Sequence, residues 1–250
     1  MYLFKIILGI VCVGLFPGVF GQTARYDGDH NLINLQDAKG VRVVEEVRFA
    51  KGQNDERVNY DRIKGSPFWK DASQPARLYS STGYMGTVPV RINLATGELY
   101  FLRDSEEVIL TDNIIVKVVF KAEKDSSVFI SQIPNLWLNN KPVDGFVQVL
   151  NFGKYQLLKY TNRTVASVDS IVRGFKRYYF ADIINYFIKS NDKVERIKKL
   201  NKENVLFNLP SSSSYDAWIK ENNIDFKKEK DVVRFINFYN SHLSDLISQF

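Results

Sequence analysis

The chain has 250 residues, of which 45% are hydrophobic and 14% are aromatic, and this composition excludes a chain that is disordered throughout. It carries 34 lysines and arginines against 28 aspartates and glutamates, and this modest basic excess does not by itself predict a nucleic-acid partner. The single cysteine, Cys12, lies near the N-terminus, so we expect neither a disulfide nor a catalytic thiolate in the rest of the chain.

Residues 1–21 have the pattern of a cleavable secretory signal peptide. Lys5 supplies one positive charge, and the uncharged run that follows is shorter than the roughly 20 residues needed to span a bilayer. We expect cleavage after Gly21, so that the mature protein begins at Gln22 and is soluble in the periplasm or the extracellular space. An uncut membrane anchor is the alternative interpretation.

Residues 22–64 form a polar segment in which only residues 41–49 resemble a strand or a short helix. His30 follows Asp27-Gly28-Asp29, a fragment of a cation-binding pattern that lacks a carboxylate at the closing position. We interpret it as a turn and predict no metal site.

Residues 65–190 have the pattern of an antiparallel β-rich domain. Val88, Val90 and Ile92 alternate with other residues, as expected for a strand with one buried face. Short strands joined by turns about every ten residues favour a rolled or sandwiched antiparallel sheet. Further strands are predicted at residues 99–103, 108–110, 114–120, 128–130, 146–150 and 155–161, and one more pair at 177–180 and 186–189.

Residues 191–250 predict a small helical segment. A helix is expected at 199–209, and a second one, capped by Ser213, through Trp218 and Ile219. A third helix at 228–247 carries an apolar stripe that must pack on the sheet or on the preceding helices. The stripe consists of Val232, Phe235, Ile236, Tyr239, Leu243, Leu246 and Ile247. The predicted fold class is therefore α+β, with the helical segment packed on the β-rich domain.

Three short segments carry a resemblance to a known group of proteins: Lys64-Gly65-Ser66-Pro67-Phe68, Val88-Pro89-Val90-Arg91-Ile92-Asn93 and Phe238-Tyr239-Asn240-Ser241. From about Lys64 to Leu243 the chain resembles a family of uncharacterised exported bacterial envelope proteins with a β-rich middle and a short helical end. The resemblance implies an envelope location and this architecture, and it implies no activity or catalytic residues.

The residues that most enzymes use are scarce. The two histidines, His30 and His242, are not accompanied by a Gly-x-Ser-x-Gly motif or by a zinc-ligand spacing. No glycine-rich phosphate loop is present. We therefore expect no cofactor and no Ser-His hydrolase. A glycosidase with two facing carboxylates stays open, and its candidate residues are Glu98, Asp104, Glu106 and Glu107.

Two groups of residues are candidates for binding. Trp69 and Trp137 are each flanked by polar residues or proline, and could stack on a sugar or a peptide, although core packing is the interpretation we favour. A basic run could contact an anionic membrane surface, or could be a solvated turn and helix face, which we favour. The run consists of Lys189, Lys193, Arg196, Lys198, Lys199 and Lys202.

The sequence therefore predicts an exported, non-catalytic envelope protein that binds a protein, peptide or glycan partner. The alternative is a cell-wall or glycan hydrolase that uses paired carboxylates. Nucleic acid is disfavoured by the export signal, and the oligomeric state is left open.

Overall fold

The structure is a computed structural model, and it describes residues 23–25, 32–34, 41–43, 63–103, 106–110, 114–121, 126–169, 176–210 and 215–242. Several sequence predictions concern residues outside these ranges: the signal peptide at 1–21, the His30 turn, Asp104, the Ser213 cap and the last part of the apolar stripe from Leu243 onward.

The fold is α+β and antiparallel strands predominate, as the sequence predicts. The strands are β1 (Thr23–Arg25), β2 (Leu32–Asn34), β3 (Val41–Val43), β4 (Ile63–Lys64), β5 (Gln74–Ser80), β6 (Gly83–Ile92), β7 (Leu99–Arg103), β8 (Glu106–Leu110), β9 (Ile115–Phe120), β10 (Ser127–Ile130), β11 (Trp137–Leu138), β12 (Lys141–Pro142), β13 (Val147–Val149), β14 (Tyr155–Asp169), β15 (Lys176–Ser190) and β16 (Lys193–Ile197). The helices are α1 (Lys202–Phe207), α2 (Tyr215–Glu221) and α3 (Glu229–Ser241).

One large sheet contains most of the strands. Its order is β16-β15-β14-β13-β10-β9-β5-β6-β7-β8-β3, and β4 pairs with β15 beside this path. The neighbours are antiparallel throughout, except that β4 runs parallel to β15. Two strands of the polar segment at 22–64, β3 and β4, join this sheet, and so does β16 from the segment beyond residue 190.

The prediction of two short strands at 177–180 and 186–189 is wrong, because both belong to the single strand β15. Asp182 and Asn185 interrupt the apolar pattern between them. The strand nevertheless continues, since all fifteen of its residues pair with β14. Strand propensity depends strongly on such tertiary pairing, and a local pattern does not record it.

The first core lies on one face of the part of the sheet formed by β5 to β10. The alternation in β6 is as predicted: Val88, Val90 and Ile92 are all buried on the inner face. Phe101 of β7 and Phe120 of β9 are buried in the same cluster.

The second core lies between the helices and one face of β14 and β15. The stripe of α3 is buried as predicted, since Phe235 and Ile236 have no exposed surface and pack in one cluster with Leu157 and Ile188. Glu229 anchors the start of α3 to the sheet by accepting a hydrogen bond from the Tyr186 hydroxyl at 2.7 Å. Burial, together with this carboxylate, raises the pKa of Tyr186 well above its ordinary value.

The opposite face of β14 and β15 is covered near its base by the segment at 131–146. Leu136 of this segment is buried in one cluster with Leu158 and Phe187. Asn135 Nδ2 also donates to the backbone oxygen of Asp192 at 3.1 Å, which fixes the segment to the turn before β16. The base of the β14–β15 hairpin is therefore packed on both faces.

Candidate functional site

The long hairpin of β14 and β15 extends well beyond its packed base. The two strands pair without a break from Tyr155↔Ser190 to Asp169↔Lys176. At about 3.3 Å per residue each strand is about 50 Å long. We call residues 161–169 and 176–184 the distal hairpin.

Large apolar side chains are exposed on both faces of the distal hairpin. Residues alternate between the faces of a strand. The register therefore places Val168, Tyr179 and Ile183 on one face, and Tyr178 and Ile184 on the other. Their exposed fractions are 55% for Val168, 44% for Tyr178, 36% for Tyr179, 51% for Ile183 and 44% for Ile184. Scattered exposed apolar residues are ordinary, whereas a group of five on one hairpin is typical of an interaction surface.

Arg163 holds the chain before β5 against the middle of the hairpin. Its Nη1 donates to the backbone oxygens of Ser66 at 2.7 Å and Phe68 at 2.6 Å. Its Nε and Nη2 donate to the two carboxylate oxygens of Asp182, at 2.6 and 3.0 Å. These hydrogen bonds hold the pKa of Asp182 below its ordinary value, with the Arg163 charge adding to the effect. The hairpin is thereby fixed to the rest of the sheet by a charged group that makes four hydrogen bonds.

The structure divides the predicted basic run between different surfaces. In the register of β15 with β16, Lys189 lies opposite Val194 and Lys193 opposite Ser190, so these two lysines point to opposite faces. Arg196 Nη2 donates to Asn185 Oδ1 at 2.8 Å. The run therefore does not form one continuous patch on the sheet.

The remaining members of the run lie between β16 and α2. Lys202 pairs with Asp216 at 2.6 Å. Lys198 and Lys199 are exposed in the bend that follows β16. Within the described residues neither of them is within ion-pair distance of a carboxylate.

The two candidate tryptophans are not brought together. The Trp69 ring lies 4.9 Å from the ring centroids of both Phe120 and Phe129, so it packs against the first core. Trp137, in β11, is 55% exposed. Its neighbour Leu136 is buried with Val128 of β10, whose side chain points to the face opposite that of Phe129. The two tryptophans thus lie on opposite sides of β10, and a single stacked ligand would not contact both.

Two of the candidate carboxylates have described side chains, and each accepts a hydrogen bond from a different residue. Glu107 accepts a hydrogen bond from Arg91 Nε at 2.7 Å, and Glu98 accepts one from the Tyr100 hydroxyl at 3.4 Å. The register places Glu107 opposite Leu102, four residues along β7 from Glu98. This separates their backbone positions by about 13 Å. Asp104 and the side chain of Glu106 fall outside the described residues.

His242 lies at the C-terminal end of α3, where its Nδ1 is 2.9 Å from the backbone oxygen of Phe238, and its side chain is exposed. In the parts of the chain that the structure describes, no three His, Cys, Asp or Glu side chains are grouped so that they could hold a metal ion. None of the helices in those parts is long and apolar enough to cross a bilayer.

Sequence reasoning missed the distal hairpin as a candidate surface, although a signal was present. Tyr178-Tyr179 and Ile183-Ile184 are adjacent apolar pairs within one strand. Because adjacent residues point to opposite faces, such pairs require either cover on both faces or exposure. The pattern alone does not decide between these two possibilities.

No family model, curated protein or solved structure matches this chain. The resemblance to exported envelope proteins therefore stays a prediction.

Proposed function

We propose that this chain is an exported, non-catalytic envelope protein that binds a partner protein through the distal hairpin. The observation that carries the proposal is the exposure of Val168, Tyr178, Tyr179, Ile183 and Ile184 on a hairpin whose base is packed on both faces. Export rests on the signal pattern at residues 1–21.

A partner protein fits this surface better than a flat membrane does. The exposed apolar residues lie on both faces, and Ile183 lies seven residues from the end of its strand at Lys176, about 23 Å along it. A bilayer that contacted the end of the hairpin would not reach Ile183 without also burying the Arg163–Asp182 ion pair. A protein can contact both faces of the strand pair and leave this ion pair at its margin.

The experiment is site-specific crosslinking in the envelope, with a photoreactive residue at Ile183 in one variant and at Phe207 in a matched control. Phe207 in α1 is the more exposed apolar residue, at 88%, and it lies outside the hairpin. We expect a defined protein adduct from position 183 only. The same adducts from both positions, or none from position 183, would contradict the proposal.

The captured protein is then tested in purified form against Ile183→Asp and Phe207→Asp. A central interface residue commonly accounts for a large share of the affinity, so Ile183→Asp should weaken binding about tenfold or more. Phe207→Asp should leave the affinity unchanged. Equal affinities of both variants and the wild type would show that the captured protein does not recognise the hairpin.

A further inference from the structure

The outer edge of β15 is only partly paired. On the side away from β14, β16 pairs with residues 186–190, where Ile197 lies opposite Tyr186. On the same side, β4 pairs with Tyr178 and Tyr179 only. Among the residues that the structure describes, no strand pairs with Asp182 or Ile184 on that side.

The backbone groups of Asp182 and Ile184 point outward at this edge. In an antiparallel pair, alternate residues direct both their N–H and C=O groups to the same neighbour. Leu157 directs these groups away from β15, since its N–H donates to Asn151 Oδ1 and its oxygen accepts from Leu150 N. Its cross-strand partner Ile188 therefore directs its own N–H and C=O groups away from β14. Asp182 and Ile184 do the same, because each lies an even number of residues from Ile188 in β15.

Positive charge lies at both ends of this open edge. Lys198 and Lys199 follow the end of β16, and Lys64 is the last residue of β4. All three side chains are exposed, and none pairs with a carboxylate among the described residues. The one acidic side chain in between, Asp182, is already bound by Arg163. The edge thus belongs to a strand segment that exposes Ile183 and Ile184, and the lysines on either side pair with no carboxylate in the described parts of the chain.

We propose that this edge binds an extended apolar segment of the partner protein, with acidic residues near its ends, as an added β-strand. The proposal rests on the proposed function, because it specifies how the partner of the distal hairpin is recognised. Backbone hydrogen bonds to Asp182 and Ile184 supply the pairing, the exposed Ile184 side chain supplies an apolar contact, and the lysines select acidic flanks.

The same charges disfavour a second copy of this chain. If the β15 edges of two copies paired antiparallel, Lys64 of each copy would lie near Lys198 and Lys199 of the other, and these like charges would repel. Lysines beside an open strand are also known protection against pairing between copies. A partner segment with acidic flanks avoids this repulsion, and a helix or a lipid surface cannot pair with a row of backbone groups.

The test uses the purified mature chain and a short fluorescent peptide of alternating valine and threonine with two glutamates at each end. We expect it to bind, and we expect the same peptide with lysine ends not to bind. Raising the salt concentration to about 1 M, where the Debye length is about 3 Å, should weaken binding of the peptide with glutamate ends. If both peptides bind equally, or if neither binds at millimolar concentration, the proposal is overturned.

The backbone contribution is read from two substitutions at one position. Ile184→Ala shortens the side chain and keeps the backbone N–H, whereas Ile184→Pro also removes that outward N–H. The hydrogen bonds between β15 and β14 are made by the alternate residues, so the proline removes none of them. Proline should weaken binding about two- to tenfold more than alanine, as expected for one lost hydrogen bond. If the proline variant does not fold, a peptide N-methylated on its edge-facing groups should show the same loss on the wild-type protein. Equal binding of methylated and unmethylated peptide overturns the proposal.

The partner captured by crosslinking separates this inference from the proposed function. If the partner no longer binds Ile183→Asp, but binds Ile184→Pro and Ile184→Ala with equal affinity, the proposed binding function stands and edge pairing is overturned. A wild-type chain that dimerises in sedimentation, with a monomeric Ile184→Pro variant, would replace the partner segment with a second copy and also overturn it. Edge pairing is supported if the partner binds Ile184→Pro more weakly than Ile184→Ala, and if its binding also weakens in Lys198→Glu and in Lys64→Glu.

Discussion

The side chain of Asn240 in α3 makes hydrogen bonds with both backbone groups of Tyr155, the first residue of β14. Its Oδ1 accepts from Tyr155 N at 2.9 Å, and its Nδ2 donates to Tyr155 O at 2.8 Å. The amide thus pairs with the strand much as a neighbouring strand would. This contact joins the last helix to the base of the long hairpin, and the orientation of the hairpin depends on that base.

We predict that Asn240→Ala destabilises the protein by about 1–3 kcal/mol, because Tyr155 N loses its acceptor at a largely buried position, while Tyr155 O keeps only Asn151 Nδ2 as a donor. Denaturant unfolding measures the change. The control is Asn204→Ala, which removes an exposed hydrogen bond to Lys199 O and should change stability by no more than about 0.5 kcal/mol. Equal losses of unfolding free energy in the two variants would mean that the contact of Asn240 with β14 stabilises the protein no more than an exposed hydrogen bond does.

Gly153, in the turn before β14, has a φ of +133° and lies directly against Asn240. A Cβ at this position would lie 2.5 Å from Asn240 Nδ2. Gly83 has nearly the same φ, +131°, but its Cβ would meet no atom within 4 Å. The two glycines therefore separate backbone strain from steric overlap.

We expect Gly83→Ala to cost about 1–3 kcal/mol from its unfavourable φ alone, and Gly153→Ala to cost more. The additional part should shrink in an Asn240→Ala background, since the overlapping side chain is then absent. A double-mutant cycle measured by denaturant unfolding gives this coupling. If the cost of Gly153→Ala is the same in both backgrounds, the overlap with Asn240 does not contribute.

The sequence predicted those parts of the fold in which one local pattern determines the structure. The alternation from Val88 to Ile92 predicted a strand with one buried face, and the strands predicted at 146–150 and 155–161 pair with each other as β13 and β14. The stripe through Phe235 and Ile236 predicted a helix packed on the sheet. In each case the burial pattern repeats with the period of the element itself.

The site could not be predicted in the same way, because it depends on which apolar residues have no other part of the chain packed on them. Ile183 and Ile184 look like core residues in the sequence, and only the register with β14 shows that they lie beyond the packed base. Trp69 and Trp137 have similar sequence surroundings, yet the first packs on Phe120 and the second is exposed. Exposure here follows from distant contacts, which local patterns do not contain.

The ion pair of Arg163 and Asp182 predicts a specific response to acid. The pKa of Asp182 is lowered in the folded state, so its contribution to stability is present above the ordinary value of 3.8. It is lost as the pH falls through the lowered pKa. We therefore expect the wild type to lose more stability than Asp182→Asn when the pH is lowered below that value.

Unfolding midpoints across the acid range measure this difference. Asp216→Asn is the matched control, because Asp216 pairs with Lys202 at the same 2.6 Å, but both of those side chains are at least half exposed. Exposed pairs contribute little, so this variant should follow the wild type. Identical acid profiles for Asp182→Asn and the wild type would contradict a role of the ion pair in stability.

The burial of Ile236 in α3 gives the last prediction. Ile236 has no exposed surface and packs in the cluster between the helices and the base of the long hairpin. Ile236→Ala should cost about 2–5 kcal/mol, from the lost transfer free energy and the cavity that remains. Phe207→Ala removes a larger side chain that is 88% exposed, so it should change the unfolding free energy by no more than about 0.5 kcal/mol. Because the same cluster holds the base of the hairpin, hydrogen exchange in β14 and β15 should accelerate in Ile236→Ala and not in Phe207→Ala. A variant that unfolds at a lower denaturant concentration with unchanged exchange in β14 and β15 would mean that α3 stabilises the chain without supporting the hairpin.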